Sequence, residues 1–278
     1  MHLESENNIF TLLKAHFPDI HINDISIPDD IKNEITIPQK YNTHVTIEAY
    51  FRLFCIQYLP KSVDRFLYID VDAYCNRNLS QMYSIDMGNN YLAGCYDFGF
   101  DLSPKVKEEI FGNLNFEDGE LYVNSGVLLF NLKKIRDDFT QQDIMEYMKK
   151  IEDKVVFHDQ DILNSIFKGR VLELPKEMNM RPFHYAYNFV NSLYLRRKAY
   201  IIHYGQKPWN EKFVDLAPSI YWKYARLIGM ENEYKAWRKR NREYKINNWY
   251  TILKQRVKRN LNVYKFLTRT GKMNYCQI

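Results

Sequence analysis

The segment FLYIDVDAYCN (Phe66–Asn76) sets two carboxylates, Asp70 and Asp72, one residue apart at the downstream end of an apolar run. Left dry and unpaired, either charge costs on the order of several kcal/mol. Facing a hard divalent cation together, the pair escapes that penalty, and the cation's residual charge can hold a diphosphate. A strand-end turn with solvated aspartates also accounts for so short a pattern.

Two further segments carry side chains of the same chemistry. FHDQDILNSIFKG places Asp159, Gln160 and Asp161 at a helix start. Capping explains acids in a first turn, Asp161 above all. Gln160 is harder to explain that way, and an amide can orient a sugar hydroxyl or face an electron-poor carbon without carrying charge. IIHYGQKPW puts His203 at a strand exit, with Gly205 and Lys207 just beyond. A neutral imidazole suits a third ligand position beside two carboxylates, and a lysine suits a phosphate. Alone, His203 reads more readily as a hydrogen-bonded structural histidine, and only the three segments together favour the ligand reading. Phosphatases of the haloacid dehalogenase type also carry D-x-D after an apolar strand. There it opens the domain and precedes Thr or Val–Gly, whereas Ala73–Tyr74–Cys75 follows here.

Strands alternating with helices must position these groups. Residues 5–17 read as an amphipathic helix and IHINDISI (20–27) as a strand. Residues 46–59 carry apolar residues at helical spacing until Pro60 stops them. Then come the strand RFLYIDVD, a helical turn near NLSQMY, and the strand YLAGCYD, ending in Asp97. LYVNSGVLLFNL (121–132) reads as one or two buried strands, interrupted by a turn at Asn124–Gly126. A helix over 137–151, a helix from Asp159 closed by Gly169, the short strand RVLELP and a last strand, AYIIHYG, complete the pattern. The expected fold is an open α/β sheet with its ligands outside the carboxyl ends of the strands.

The bulk properties bound the partners. With 278 residues, 46% hydrophobic and 15% aromatic, the chain can bury a substantial core. Its four cysteines show no paired spacing and read as free thiols of a reducing compartment. MHLESENNIF lacks the basic flank and apolar run of a signal peptide, and no apolar run is long enough to span a bilayer, so a cytoplasmic location is expected. From Tyr234 to Lys272 there are 13 Lys/Arg against the single acid Glu243, while the whole chain carries only +5. The body is therefore net acidic and the tail basic. In that tail Trp249, Tyr250, Leu253, Val257, Leu261, Tyr264 and Leu267 recur at helical spacing, with Lys254, Arg256, Lys258 and Arg259 between them. Such a helix reads as a membrane-surface anchor in preference to an acidic face of its own body, and least of all as a nucleic-acid binder.

RFLYIDVDAYCNRNLSQMY, GELYVNSGVLLFNLKKIR, HDQDILNSIFKGRVLELPKEMN and IIHYGQKPW resemble, in order and approximate spacing, the motifs of family 8 glycosyltransferases. The resemblance runs from about His44 to Trp209 and is strongest to bacterial lipopolysaccharide galactosyl- and glucosyltransferases. It implies a GT-A, Rossmann-like mixed sheet over 1–215, followed by a basic helical segment over 216–278. It further implies retaining transfer of a hexose from UDP-galactose or UDP-glucose to a lipooligosaccharide or similar glycan, assisted by Mn²⁺ or Mg²⁺. On matching positions, Asp70, Asp72 and His203 hold the metal, with Val71 between the carboxylates at the nucleotide. Arg52 lies near the donor, and Asn124 and Ser125 beside its sugar. Asp159 grips sugar hydroxyls, and Gln160 lies opposite the leaving group. Gly205 and Lys207 close over the phosphates, and His44 and Asp97 face the acceptor. The family's opening strand–helix–strand, which lines the uracil and ribose pocket, has no counterpart in residues 1–43. The competing expectation is therefore a remnant that binds metal or glycan without catalysis.

Overall fold

The computed structural model describes residues 7–35, 47–181, 197–212 and 218–261, apart from residues 24, 26, 206, 255–256 and 259–260. The apolar run before the paired aspartates forms β1 (Phe66–Ile69). The chain turns through Asp70–Asp72 and re-enters as β2 (Ala73–Cys75). Four more strands follow: β3 (Leu92–Tyr96), β4 (Val123–Phe130), β5 (Val171–Glu173) and β6 (Ile201–His203). They build a four-stranded sheet of order β1-β4-β3-β5 and a two-stranded ribbon of β2 and β6. β4 runs antiparallel to both β1 and β3, whereas β3 and β5 are parallel, so the sheet is mixed.

This direction of β4 decides where the chemistry gathers. Because β4 opposes its neighbours, its first residues lie at the same sheet end as the exits of β1 and β3. Ile69 pairs with Val127, the Asp70 N–H donates to the Gly126 carbonyl, and the Asp97 N–H donates to the Tyr122 carbonyl. Every residue of β4 is buried. Leu128 and Phe130 enter the main core on one face, and Val127 and Leu129 a second core on the other, as a two-residue side-chain period requires. Each such fully buried aliphatic side chain stabilises the fold by roughly 1.5–3 kcal/mol.

Asn124–Gly126 is therefore no turn. The strand continues through it, but its pairing with β3 shifts register there, Gly94 standing opposite Leu128 and Tyr96 opposite Val123, and its polar opening residues face the site instead of solvent. Asn164, on the helix Asp159–Ile166, anchors that opening: its amide accepts from the Val123 N–H at 2.7 Å and donates to the Val123 carbonyl at 2.8 Å.

The other elements depart from expectation in three places. Residues 46–59 are not one α-helix: Ile47–Phe54 winds as a 3₁₀-helix and only Cys55–Tyr58 is α-helical. The tighter winding sets Tyr50 and Leu53 three apart, both buried. The helix expected over 137–151 is two helices, Leu132–Asp138 and Gln141–Ile151. Thr140 starts the second with a capping box in which it accepts from the Asp143 N–H and the Asp143 carboxylate accepts from its own N–H. The helix Asn7–His16 forms as expected, but no strand forms among the described residues of 20–27. Ile27 is buried there while Ile20 and Ile25 are exposed, so the alternation has no sheet to pack on.

Beyond β6, the helices Pro218–Leu227 and Glu231–Asn247 pair through Trp222, Ala225 and Trp237. Trp237 Nε1 and Asn241 Nδ2 donate to the carbonyls of Asn210 and Glu211, and Tyr224 stacks near Tyr74 at 4.7 Å. These contacts hold the helical segment against the loop after β6 and against β2.

Candidate metal and sugar-binding site

The pairing of β2 with β6 brings His203 opposite Ala73, next to the paired aspartates. His203 Nε2 lies 3.3 Å from Asp72 Oδ1 and 3.7 Å from Asp70 Oδ2. One ligand atom from each of Asp70, Asp72 and His203 lies within 4.8 Å of the others. His203 is buried, the carboxylates are half-buried, and Val71 between them is 89% exposed. This donor set, two carboxylate oxygens and one imidazole nitrogen, fits Mn²⁺ or Mg²⁺.

Behind Asp70 stands Arg52, a buried cation. Its Nη2 donates to Asp70 Oδ1 at 3.0 Å and its Nη1 to the Ser125 carbonyl at 2.5 Å, while the guanidinium lies 4.0 Å over the ring of Tyr68. The Tyr68 hydroxyl donates to the same Asp70 oxygen at 2.7 Å. Arg52 Nε lies 3.2 Å from Asp159 Oδ2, but its hydrogen points to the Ala49 carbonyl. The contact with Asp159 is thus an ion pair without a hydrogen bond, and Asp159 Oδ2 is buried without one. Burial pushes the Asp159 carboxyl up to about 6 against the pull of Arg52, and the Asp70 charge adds to the rise.

Asp159 and Gln160 stand at the first turn of their helix because His158 before them adopts a left-handed conformation, φ 50°. The Tyr50 hydroxyl, 3.2 Å from His158 Nδ1, ties that bend to the 3₁₀-helix. Asp161 is wholly buried and structural. It accepts from the N–H groups of Val156 and Phe157, which precede the helix, and from the Tyr122 hydroxyl; it ties the helix start to the preceding chain instead of capping the helix's own N–H groups.

Gln160 is held at both ends of its amide. Oε1 accepts from the Ser125 N–H at 2.9 Å and from Asn124 Nδ2 at 3.1 Å, and Nε2 donates to Asp97 Oδ2 at 3.0 Å and the Tyr122 hydroxyl at 3.3 Å. Asn124 Nδ2 also donates to Asp97 Oδ2, at 3.2 Å, and its Oδ1 accepts from the Gly126 N–H. Asp97 Oδ1 accepts from the Gly99 N–H at 2.8 Å and pairs with Arg181 Nη1 at 3.5 Å.

Thus Arg52, Asp70, Asp72, Asp97, Asn124, Ser125, Asp159, Gln160 and His203 are one connected cluster. Gly205, at φ 62°, passes beneath the end of the Arg181 side chain, where a Cβ would stand 2.7 Å from Nη2; the positive φ is what favours glycine there. Lys207 is exposed two residues on, and His44 lies outside the described residues. Sequence reasoning missed Tyr68, Tyr122, Gly126 and Asn179. Nothing in their types marks them; they matter through what packs against them.

The profile of "Glycosyl transferase family 8" matches residues 4–212. A lipopolysaccharide 1,2-glucosyltransferase of Escherichia coli K12 is 34% identical over 133 residues, 47% of this chain and 37% of that protein. The chain spans between 22% and 40% of the length of three curated relatives at 32–35% identity. An active-site mutant of LgtC superposes with TM-score 0.59 at 26% identity, over 78% of this chain and 89% of that one. The galactosyltransferase LgtC in complex with donor and acceptor sugar analogs superposes with TM-score 0.61 at 24% identity, over 83% and 93%, a likeness of fold. The mixed α/β sheet is therefore the GT-A type.

Proposed function

Since the chain belongs to glycosyltransferase family 8, we propose that it moves a hexose from UDP-galactose or UDP-glucose to a lipooligosaccharide or similar glycan, with retention of anomeric configuration. The observation that carries this reading is the Asp70–Asp72–His203 cluster, built against the buried Arg52–Asp159–Gln160 network. Those three residues would hold Mn²⁺, which when bound neutralises charge developing on the departing diphosphate. Mg²⁺ is the alternative ion.

The chain's own residues supply the rest. Arg52 lies between the two carboxylates, hydrogen-bonded to Asp70 and ion-paired with Asp159, and Asp159 grips the sugar hydroxyls. Asn124 and Ser125 border the sugar, Val71 the nucleoside, and Gly205 with Lys207 the phosphates. Asp97 and His44 face the acceptor. Gln160 is spent on hydrogen bonds from both ends and is a poor nucleophile, which favours attack on the face the diphosphate leaves. In that step the anomeric bond to phosphate breaks, the bond to the acceptor oxygen forms, and the acceptor's proton passes to the departing phosphate oxygen.

No helix among the described residues is long and apolar enough to cross a membrane. Trp249, Tyr250, Leu253, Val257 and Leu261 are exposed, with Lys254 and Lys258 exposed between them, while Tyr264 and Leu267 lie outside the described residues. This face supports peripheral docking on the cytoplasmic side of an anionic membrane, where a lipid-linked acceptor would be presented.

Calorimetry with UDP and Mn²⁺ tests the core of the reading. Micromolar binding that requires the metal is expected, followed by release of UDP and an α-linked product from one of the two donors. Absence of heat with metal and nucleotide together would overturn it in favour of a non-catalytic binding protein.

A further inference from the structure

His203 can serve a cation only if Nε2, the nitrogen facing Asp70 and Asp72, carries its lone pair and not its proton. The structure settles which nitrogen does what, through a relay that starts far from the histidine. Asp97 Oδ2 only accepts, so the Asn124 atom facing it is the donor Nδ2. The Gly126 backbone N–H only donates, so the Asn124 atom facing it is Oδ1. Both ends of Asn124 are thereby assigned. Asn179 meets that same Oδ1 at 2.9 Å and must do so with Nδ2. Its remaining oxygen, Oδ1, lies 3.1 Å from His203 Nδ1. That nitrogen is consequently an N–H donor, and Nε2 is the nitrogen that faces the carboxylates and can offer its lone pair to a cation held between them.

We infer that Asn179 is a positioning residue of this site: it locks the His203 ring in the Nδ1–H tautomer and so presents Nε2 for metal ligation. The inference rests on the metal reading above for its purpose, but not for the tautomer itself. The fold holds Asn179 firmly for this task. The residue is buried and follows a 3₁₀ turn at Lys176–Met178, and the next residue is bonded to β6 on both sides. The Met180 N–H donates to Ile201, and the Met180 carbonyl accepts from the His203 N–H. Ring and amide are thus fixed by the same two backbone hydrogen bonds. Groups that orient a ligating histidine through its second nitrogen typically change metal affinity 10–100-fold when removed.

The test reads the ring directly. In a long-range ¹H–¹⁵N spectrum, His203 should show a protonated Nδ1 in the metal-free protein and keep it when diamagnetic Mg²⁺ is added, with Nε2 then the unprotonated nitrogen. Asn179→Ala should give a tautomer mixture and bind Mn²⁺ about 10–100-fold more weakly by calorimetry. Asn179→Asp keeps an acceptor for Nδ1–H and, with its other oxygen protonated, a donor for Asn124 Oδ1; measured below the pH at which that proton is lost it should hold the native tautomer, which guards against an unfolded alanine variant. A wild-type ring with no proton on Nδ1, or a folded alanine variant with unchanged tautomer and Mn²⁺ affinity, overturns the inference. A wild-type chain with the expected tautomer that binds no Mn²⁺ would instead defeat the metal reading and leave Asn179's hold on the ring established.

Discussion

The imidazole of His203 lies on the backbone of Gly126: a Cβ at that glycine would stand 2.1 Å from His203 Cε1 and 2.8 Å from Asp70 Oδ2. Two of the three candidate ligands therefore converge over a residue that must have no side chain. Gly126→Ala is expected to push the ring and carboxylate apart. Mn²⁺ affinity should fall at least about tenfold, in the range known for misplaced ligands, with no loss of helical signal in circular dichroism. Unchanged calorimetry would show that the gap is not needed.

Asp159 gives the protein a pH signature of its own. Its folded carboxyl lies near 6 against an ordinary 3.8, raised by burial, so the folded state binds the extra proton between those values. Stability then falls as pH rises through that window, and this contribution is fully lost above it. Asp159→Asn removes the titration. Urea unfolding at pH 4 and pH 7 should show the variant gaining on the wild type with rising pH, by up to about 3 kcal/mol. A gap independent of pH would rule the assignment out.

Gln160→Ala leaves the Ser125 N–H and the Asp97 carboxylate each short of a buried partner, at a cost of roughly 1–3 kcal/mol in stability. If the amide only borders the reacting carbon, single-turnover rates should fall by about ten- to a hundredfold, as expected for a lost electrostatic contact. Total loss together with a glycosyl adduct trapped on another side chain would refute same-face attack.

Asp72 and Asp70 should separate in mutagenesis. Asp72→Asn removes one ligand charge at the mouth of the site and should weaken Mn²⁺ binding with little change in melting temperature. Asp70→Asn also takes the charge that Arg52 and the Tyr68 hydroxyl share. Leaving a buried cation poorly paired costs about 3–5 kcal/mol, so this variant should melt markedly lower. Equal melting temperatures for the two would contradict the role given to Arg52.

Reversing charge in the tail isolates its function. Lys254→Glu with Lys258→Glu should abolish pelleting with vesicles containing anionic lipid and leave nucleotide binding unchanged. Equal pelleting of the wild type with neutral and anionic vesicles would remove the electrostatic anchor.

The sequence alone determined the chemistry available: paired carboxylates behind a buried strand, an amide between acids, an imidazole at a strand end, and the family that orders them so. Strand periods and apolar runs made β1, β3 and β4 legible, because local burial writes itself into residue type. The rest was decided by contacts distant along the chain. Only antiparallel insertion of β4 turns Asn124–Gly126 from an apparent loop into the floor of the site. Only the β2–β6 ribbon carries His203 across more than a hundred residues to Asp70 and Asp72. Which imidazole nitrogen is free depends on an amide relay reaching back to Asp97, and hydrogen-bond polarity of that kind exists only once the partners have met.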